Sequence, residues 1–251
     1  NSDVRTPEGW LQPLFDYMET HSECAACQPK IRAELEPEKF EYAGAAGGFM
    51  DIYGYPLCRG RVMSNVEVDN GQYDSIKEIF WATGACLFIR SKAYWDAGGL
   101  DGRFFAHQEE IDLCWRLKAR GASIVCVPQS TVYHVGGGSL GYESPFKTRL
   151  NFRNNALLLY KNLSSDRYWW TYIFRLLLDW VAALQMLLQG KPKNAWAVIE
   201  AQTEFVRMYR DFSKDRKYNL TLTKQKKPEG LLNLWLIWQV YINKKHKYSD
   251  L

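Results

Sequence analysis

At 251 residues the chain is long enough for one large α/β domain or a domain with an appendage, and 47% apolar residues supply a real core. A net charge of +4 is only mildly basic. It makes no case for a nucleic-acid partner, but would suit an anionic membrane surface or phosphorylated substrates.

Residues 1–35 read as loop, helix, strand. Pro7 sits where a first-turn proline is tolerated, and Trp10, Leu11, Leu14, Phe15 and Met18 recur on one helical face. Cys24 to Ile31 is a short apolar-leaning run with a plausible strand end. Residues 34–80 are polar, Gly-rich and irregular, and their aromatics, Phe49, Tyr53, Tyr55 and Tyr73, suit either an ordered substrate-facing loop or burial against the domain. Ala85 to Ile89 reads as a buried strand, followed by a helix start at Ser91 and a stop at Gly98-Gly99. A short helix over Asp112 to Arg120 ends at Gly121, and strands follow at Ser123–Val127 and Thr131–Val135. This alternation predicts an α/β layer fold with a mostly parallel sheet.

From Phe146 the pattern is helical and does not return to strand. Helices are predicted over Lys147–Leu163, Trp169–Leu188 and Asn194–Tyr209, then a charged linker over Lys214–Lys227 and an apolar Trp-rich stretch over Gly230–Ile242, with lysines after it. Trp169–Leu188 has spanning length, but Arg175 and Asp179 stand near its middle and four residues apart, so they are expected to pair on one face. An interfacial or core-packed helix is the preferred reading. The expected division is therefore 1–145 and 146–251.

The six cysteines form no secretory framework. Cys86, Cys114 and Cys126 lie in apolar patterns, and Cys24-x-x-Cys27 lacks both a second pair at zinc spacing and a redox context, which favours a reduced, cytoplasmic compartment. No signal peptide is visible. The chain opens on Asn1-Ser2-Asp3-Val4 without Met, so it is expected to be a piece of something longer.

The chemistry concentrates in Ala82–Ser139. Glu109, Glu110 and Asp112 crowd the mouth of a helix, and an apolar strand then ends in His134 and Gly136-Gly137-Gly138. Carboxylates, a histidine and glycines whose amides can approach an anion are what a metal-assisted site for a phosphate-bearing substrate needs.

The run Gly84-Ala85, Gly98-Gly99-Leu100-Asp101, Phe104-Phe105, Glu109-Glu110-Ile111-Asp112-Leu113-Cys114-Trp115-Arg116, Val127-Pro128, His134 and Gly137-Gly138-Ser139 closely resembles family 2 glycosyltransferases. It looks most like the bacterial branch with rhamnosyltransferases of surface-polysaccharide assembly. The resemblance implies a GT-A (Rossmann-like) α/β fold, here its carboxyl-terminal portion followed by a helical extension, with the nucleotide-binding first half absent. It implies a divalent metal, Mn²⁺ or Mg²⁺, and a nucleotide diphosphate-sugar donor, dTDP-rhamnose among the candidates. The acceptor would be a surface-polysaccharide or lipid-linked glycan, met in the cytoplasm or peripherally at the inner face of the plasma membrane.

Carried over by position, Glu110 matches the catalytic base, usually Asp, with Glu109 beside it. Asp3 matches the last acid of the Asp-x-Asp metal motif, Asn1 takes the place of its first acid, and His134 matches a further metal or diphosphate contact. Trp81, Thr83, Gly84 and Ala85 match the sugar pocket. Asp112, Gly137, Gly138, Arg149 and Arg153 complete the expected substrate contacts.

Each position also has a plainer reading. Asp3 could cap the first helix, His134 could be structural, and Trp81 a core residue. The acidic run complements a helix dipole, Arg116 would pair with that run, and Arg149 and Arg153 would sit on a solvated face. Two other functions use the same parts: a non-catalytic glycan- or membrane-binding module, and a metal-dependent phosphoester hydrolase.

Overall fold

The computed structural model describes residues 1–136 and 144–251; Gly137 and Gly138 lie outside them. Strand β1 (Val4–Arg5) leads to α1 (Gln12–Thr20) and β2 (Cys24–Ala33). Four short strands follow, β3 (Gly48–Asp51), β4 (Pro56–Cys58), β5 (Arg61–Val62) and β6 (Asn65–Val66), then β7 (Lys77–Glu78) and β8 (Phe88–Ile89). Next come α2 (Ser91–Asp96), α3 (Glu109–Ala119) and β9 (Ser123–His134). The remainder is α4 (Pro145–Asn162), α5 (Ser165–Leu188), α6 (Pro192–Met208), α7 (Ser213–Leu222), β10 (Leu231–Leu232) and α8 (Leu236–Tyr241). The fold is α/β with a mainly helical C-terminal part.

The first sheet is ordered β1-β9-β2-β8, with β7 on the same edge of β9 as β1. Its spine is the parallel pair β2–β9, which the apolar runs of both strands bury. The expectation of a mostly parallel sheet does not hold: β1, β7 and β8 all pair antiparallel. Each is two residues long and arrives by a loop, and antiparallel pairing needs no helical crossover. The two strands expected on either side of Pro128 are one strand. The register jumps from Pro29↔Val127 to Lys30↔Thr131, so Pro128, Gln129 and Ser130 bulge out, and Ser130 Oγ donates to the Trp10 carbonyl at 2.6 Å.

Residues 34–80 are not one irregular loop. They build a second sheet, β10-β3-β4-β5-β6, turning at Gly47, Gly54 and Gly60, all at positive φ. Phe49 and Tyr73 are buried in it while Tyr55 faces a cleft, so both readings of the aromatics hold. β10 also corrects the expectation that no strand follows residue 146: Leu231 pairs with Met50 in parallel. The expected charged linker is α7, held by Arg216, whose guanidinium donates to the carbonyls of Tyr160 and Leu163 on and beside α4. Ala85 is in a turn, not a strand, since β8 begins only at Phe88 and Cys86 N donates to Thr83 O at 3.3 Å. The helix stops were legible: Gly98, Gly99 and Gly121 all take positive φ.

All six cysteines are free, and burial pushes the thiols of Cys114 and Cys126 up to about 12, so they pack as inert apolar groups.

Candidate active site

The approach to α3 is an unusual piece of backbone. Phe105, His107 and Gln108 all have φ near +70°, a region L side chains rarely adopt. The surrounding structure enforces it. Asn154 on α4, fully buried, donates through Nδ2 to the carbonyls of Phe104 (3.0 Å), Ala106 (2.8 Å) and His107 (2.7 Å). Arg153 Nη2 adds a bond to Phe104 O at 2.8 Å, and Gln108 Nε2 donates back to Asn151 O at 3.2 Å. This clamp presents His107, Glu109 and Glu110 to one cleft of about 1190 Å³.

Glu109 and Glu110 open α3, where the helix dipole favours their charge. Yet Oε2 of each is buried with no hydrogen-bond partner among the described residues, and so is His107 Nε2. Burial, with Glu109 beside it, pushes the Glu110 carboxyl up to about 7, and burial also raises Glu109. Burial and then Lys147 lower His107, which keeps its imidazole neutral. Three polar atoms held out of water without partners cost stability, and such costs gather where a ligand completes them.

The turn Thr83-Gly84-Ala85 faces this pair. A Cβ built on Gly84 would stand 3.8 Å from Glu110 Cβ and 4.0 Å from its carboxyl carbon, so a glycine here leaves the carboxyl open to a ligand. Thr83 N donates to Gln28 Oε1 (2.9 Å), Thr83 Oγ1 accepts from Ala85 N (3.2 Å), and Asn1 N donates to Ala85 O (3.0 Å). Trp81 lines the same cleft but is itself a core residue, its indole donating to Phe49 O at 2.8 Å.

Asp3 does not cap α1, which begins nine residues on with Leu11 at its cap. It faces the end of β9: Asp3 Oδ1 lies 3.3 Å from His134 Nε2, brought there by the Val4↔His134 register. On the other side, Glu41 Oε1 stands 3.3 Å from His134 Nδ1, without hydrogen-bond alignment. The two carboxylates, Glu41 first, hold the imidazole above its usual range. A hard divalent cation places neighbouring ligands about 3 Å apart, since each bond is about 2.1 Å and nearly at right angles. The Asp3–His134 separation matches one edge of such a shell, with Glu41 placed to orient the imidazole from behind. Among the described residues no three His, Cys, Asp or Glu side chains converge at ligand spacing, so the other positions would have to come from substrate oxygens and water.

Three expected substrate contacts are engaged elsewhere. Asp112 is fully buried beneath the site, where it pairs with Arg116 and Lys161 (2.8 Å each) and accepts from Asn162 Nδ2 (2.7 Å). With three groups so close, and away from the cleft lining, it is not placed to meet a sugar. Arg149 and Arg153 both pair with Glu204 on α6, at 3.2 and 3.3 Å, and neither lines the cleft. Arg153 has a different task, the loop clamp.

The residues that pattern alone did not single out are His107, Glu41 and Asn154. His107 stands two positions before the acidic pair, which was a usable hint; Glu41 and Asn154 depend on contacts distant in sequence. A second feature was equally unreadable: α5 and α8 also line the cleft, with Leu178, Ala182, Met186, Ile237 and Tyr241 supplying apolar surface beside Arg175 and Gln185.

No known family profile matches the chain. Over 179 residues it is 26% identical to the N-acetylglucosaminyl-diphospho-decaprenol L-rhamnosyltransferase of Mycobacterium tuberculosis, covering 68% of this chain and 55% of that protein. It is 27% identical to the low-salt glycan biosynthesis hexosyltransferase Agl10 of Haloferax volcanii, covering 48% and 40%. A 136-residue match to the O-antigen biosynthesis protein RfbC of Myxococcus xanthus is also 27% identical, covering 53% of this chain and 10% of that protein. The chain thus spans about half the length of the first curated relatives. The crystal structure of GalNAc-T7 with UDP, GalNAc and Mn²⁺ aligns over 87% of this chain and 39% of that one, at 14% identity and TM-score 0.45, too loosely to carry a structural argument. The sequence relationships make the chain a relative of family 2 glycosyltransferases of the rhamnosyltransferase-like kind.

Proposed function

We propose that this chain is the catalytic and acceptor-side part, residues 1–145, of an inverting GT-A glycosyltransferase, with a helical region over residues 146–251 at its acceptor side. The observation that carries the reading is that Glu109 and Glu110, each with one buried carboxylate oxygen unpartnered among the described residues, line the same cleft as Asp3 and His134. The donor is a nucleotide diphosphate-sugar, and dTDP-rhamnose is suggested by the name of the mycobacterial relative. That name also suggests a polyprenyl-diphosphate-linked glycan as acceptor, which would be met at the inner face of the plasma membrane. The apolar surface from α5 and α8 suits such an acceptor.

Glu110 would take the proton of the acceptor hydroxyl as that oxygen attacks the anomeric carbon from the face opposite the diphosphate. A base poised near 7 is matched to this task at cellular pH. Glu109, beside it, raises its proton affinity, and Gly84 leaves room for the sugar against the carboxyl. His107, neutral, would exchange a hydrogen bond with a sugar hydroxyl through Nε2. Asp3 and His134 would hold a divalent metal, with Asn1 in reach of the same corner of the cleft. When bound, the metal supplies Lewis-acid neutralisation of the leaving diphosphate.

The test is sugar transfer and nucleotide binding by Glu110→Gln. Loss of transfer with Mn²⁺-dependent nucleotide binding retained is expected. Retained transfer would remove Glu110 from the base role, while loss of binding as well would favour a role in holding the donor.

A further inference from the structure

Helix α5 is 24 residues long and, among the described residues, the one helix long and apolar enough to cross a membrane. Its fit to the protein is narrow. Tyr168, Thr171, Arg175, Asp179 and Ala183 form a single buried stripe, spaced three or four residues apart. Both charges of its central stretch lie in that stripe. Arg175 pairs with Asp179 at 3.3 Å, donates to Tyr53 O at 3.2 Å and stacks over the Tyr55 ring, while Asp179 accepts from Gln202 of α6 at 2.9 Å. The opposite face is mostly apolar and open to solvent: Trp170 is 79% exposed, Leu177 61%, Trp180 59% and Leu184 57%, with Asp166 in the first turn and Gln185 near the end as its polar positions. Trp196 and Val206 of α6, and Trp238 of α8, extend the exposed surface. The link to α8 is physical, since Phe174 packs on Trp235 (5.1 Å) and Trp235 on Trp238 (5.4 Å).

Exposed tryptophans and leucines clustered on neighbouring helices mark a docking face, and its surroundings say what covers it. Exposed cations adjoin, in sequence, the helices that carry it: Lys193 at the start of α6, and Lys244 and Lys247 just after α8. A protein partner would not require exposed tryptophans together with lysines next to the helices that carry them; the boundary between acyl chains and anionic headgroups rewards both. α5 cannot leave the protein to span the bilayer without carrying its neighbours. Its central ion pair is tied to Tyr53 and to Gln202, and α6 is tied by Glu204 to Arg149 and Arg153 of α4.

The geometry points to α5 lying in the plane of an anionic lipid leaflet, its outer stripe and the Trp238 side of α8 sunk into the headgroup boundary, with Lys193, Lys244 and Lys247 on the headgroups. The flank of α5 that lines the cleft, Leu178, Ala182 and Met186, is then continuous with the lipid phase. A lipid-linked substrate would reach the carboxylates without leaving the membrane. The docking itself does not rest on the transferase reading, because vesicle binding and sugar transfer are read separately.

The experiment is sedimentation of the full chain with vesicles of phosphatidylglycerol and phosphatidylethanolamine, and with vesicles of phosphatidylcholine alone. Binding to the anionic vesicles is expected, weakened by salt and far poorer on the neutral ones. Trp170→Gln with Trp180→Gln and Leu184→Gln should reduce the partition coefficient by at least about tenfold, since three apolar side chains that would sink into the lipid are removed. Lys193→Glu with Lys244→Glu should reduce binding to the anionic vesicles alone. Trp95→Gln, on the equally exposed α2, should change nothing. Equal partitioning of the triple variant and the unaltered chain overturns the proposal. So does a chain that ignores vesicles yet dimerises through this face, seen as a monomer only in the triple variant by sedimentation velocity.

Discussion

Glu110→Gln should cost the enzyme its activity and make the protein more stable. The carboxyl sits at about 7 in the folded chain against an ordinary 4.5, because burial and Glu109 both disfavour its charge. A group whose acid form is preferred in the folded state binds more protons folded than unfolded as the pH rises from about 4.5 to about 7. Stability therefore falls across that window and levels off above it. At about 1.4 kcal/mol for each pH unit, and allowing for the side of Glu110 that meets the cleft, the loss is about 2–3 kcal/mol. Glutamine keeps the shape and cannot ionise. The stability difference between variant and parent should be near zero at pH 4.5, open through pH 6, and reach its full size by pH 7.5. For a chain of this size that is a rise in Tm of roughly 5–10 °C. Differential scanning calorimetry from pH 4.5 to 8 reads the curve. Over the same range transfer by the parent should rise with pH through about 7, and the variant should lose on the order of 10²–10⁴ in rate. Parallel stability curves would refute the claim that Glu110 is held protonated by its surroundings.

Asn154→Ala removes the amide that fixes the left-handed turn before α3, so it should cost about 1–3 kcal/mol in chemical denaturation and lower kcat more than it raises KM. Asp112→Asn leaves the buried Arg116 without its carboxylate and Lys161 with Asp101 alone, and should destabilise by about 3–5 kcal/mol, read as a shift in denaturation midpoint, with any remaining folded protein still binding nucleotide. Gly84→Val would place methyl groups against the Glu110 carboxyl; transfer should fall at least about tenfold while the melting temperature moves little, because this turn faces the cleft. His107→Phe preserves the volume of the ring without its unpartnered nitrogen, and should raise KM for one substrate with an effect of about 1–2 kcal/mol, measured by initial rates against each substrate in turn.

What could be read from the chain followed from how local the physics is. The α3 segment carries its own evidence: carboxylates in its first turn, an apolar face and Gly121 beyond its end, all within thirteen residues. The Arg175–Asp179 pair was legible for the same reason, since four residues is one helical turn. The second sheet was not legible, because strands of two to four residues give too few positions for alternation to register. Nor was β10, whose pairing with Met50 spans most of the chain and leaves no local mark. α7 reads as a linker because it is almost wholly polar; Arg216 reaching back to Tyr160 and Leu163 gives it its place. In the site, residue type singled out Glu110, Asp3 and His134, and the structure brings these to one cleft. Arg149, Arg153 and Asp112 are engaged away from it, because an arginine suited to phosphate is equally suited to Glu204 or to a backbone carbonyl, and a carboxylate to buried cations.

The central claim is that a carboxylate pair and a metal corner share one cleft in order to move a sugar. It is tested most directly by release of nucleoside diphosphate from a panel of nucleotide sugars, with a polyprenyl-diphosphate-linked glycan present, in Mn²⁺ and in chelator. Because the first curated relatives are about twice as long as the segment matched, the full gene product is the form to assay. Turnover of one donor that needs both the metal and Glu110 is the predicted result. Turnover indifferent to Glu110→Gln, or no release from any donor in the presence of acceptor, would contradict it.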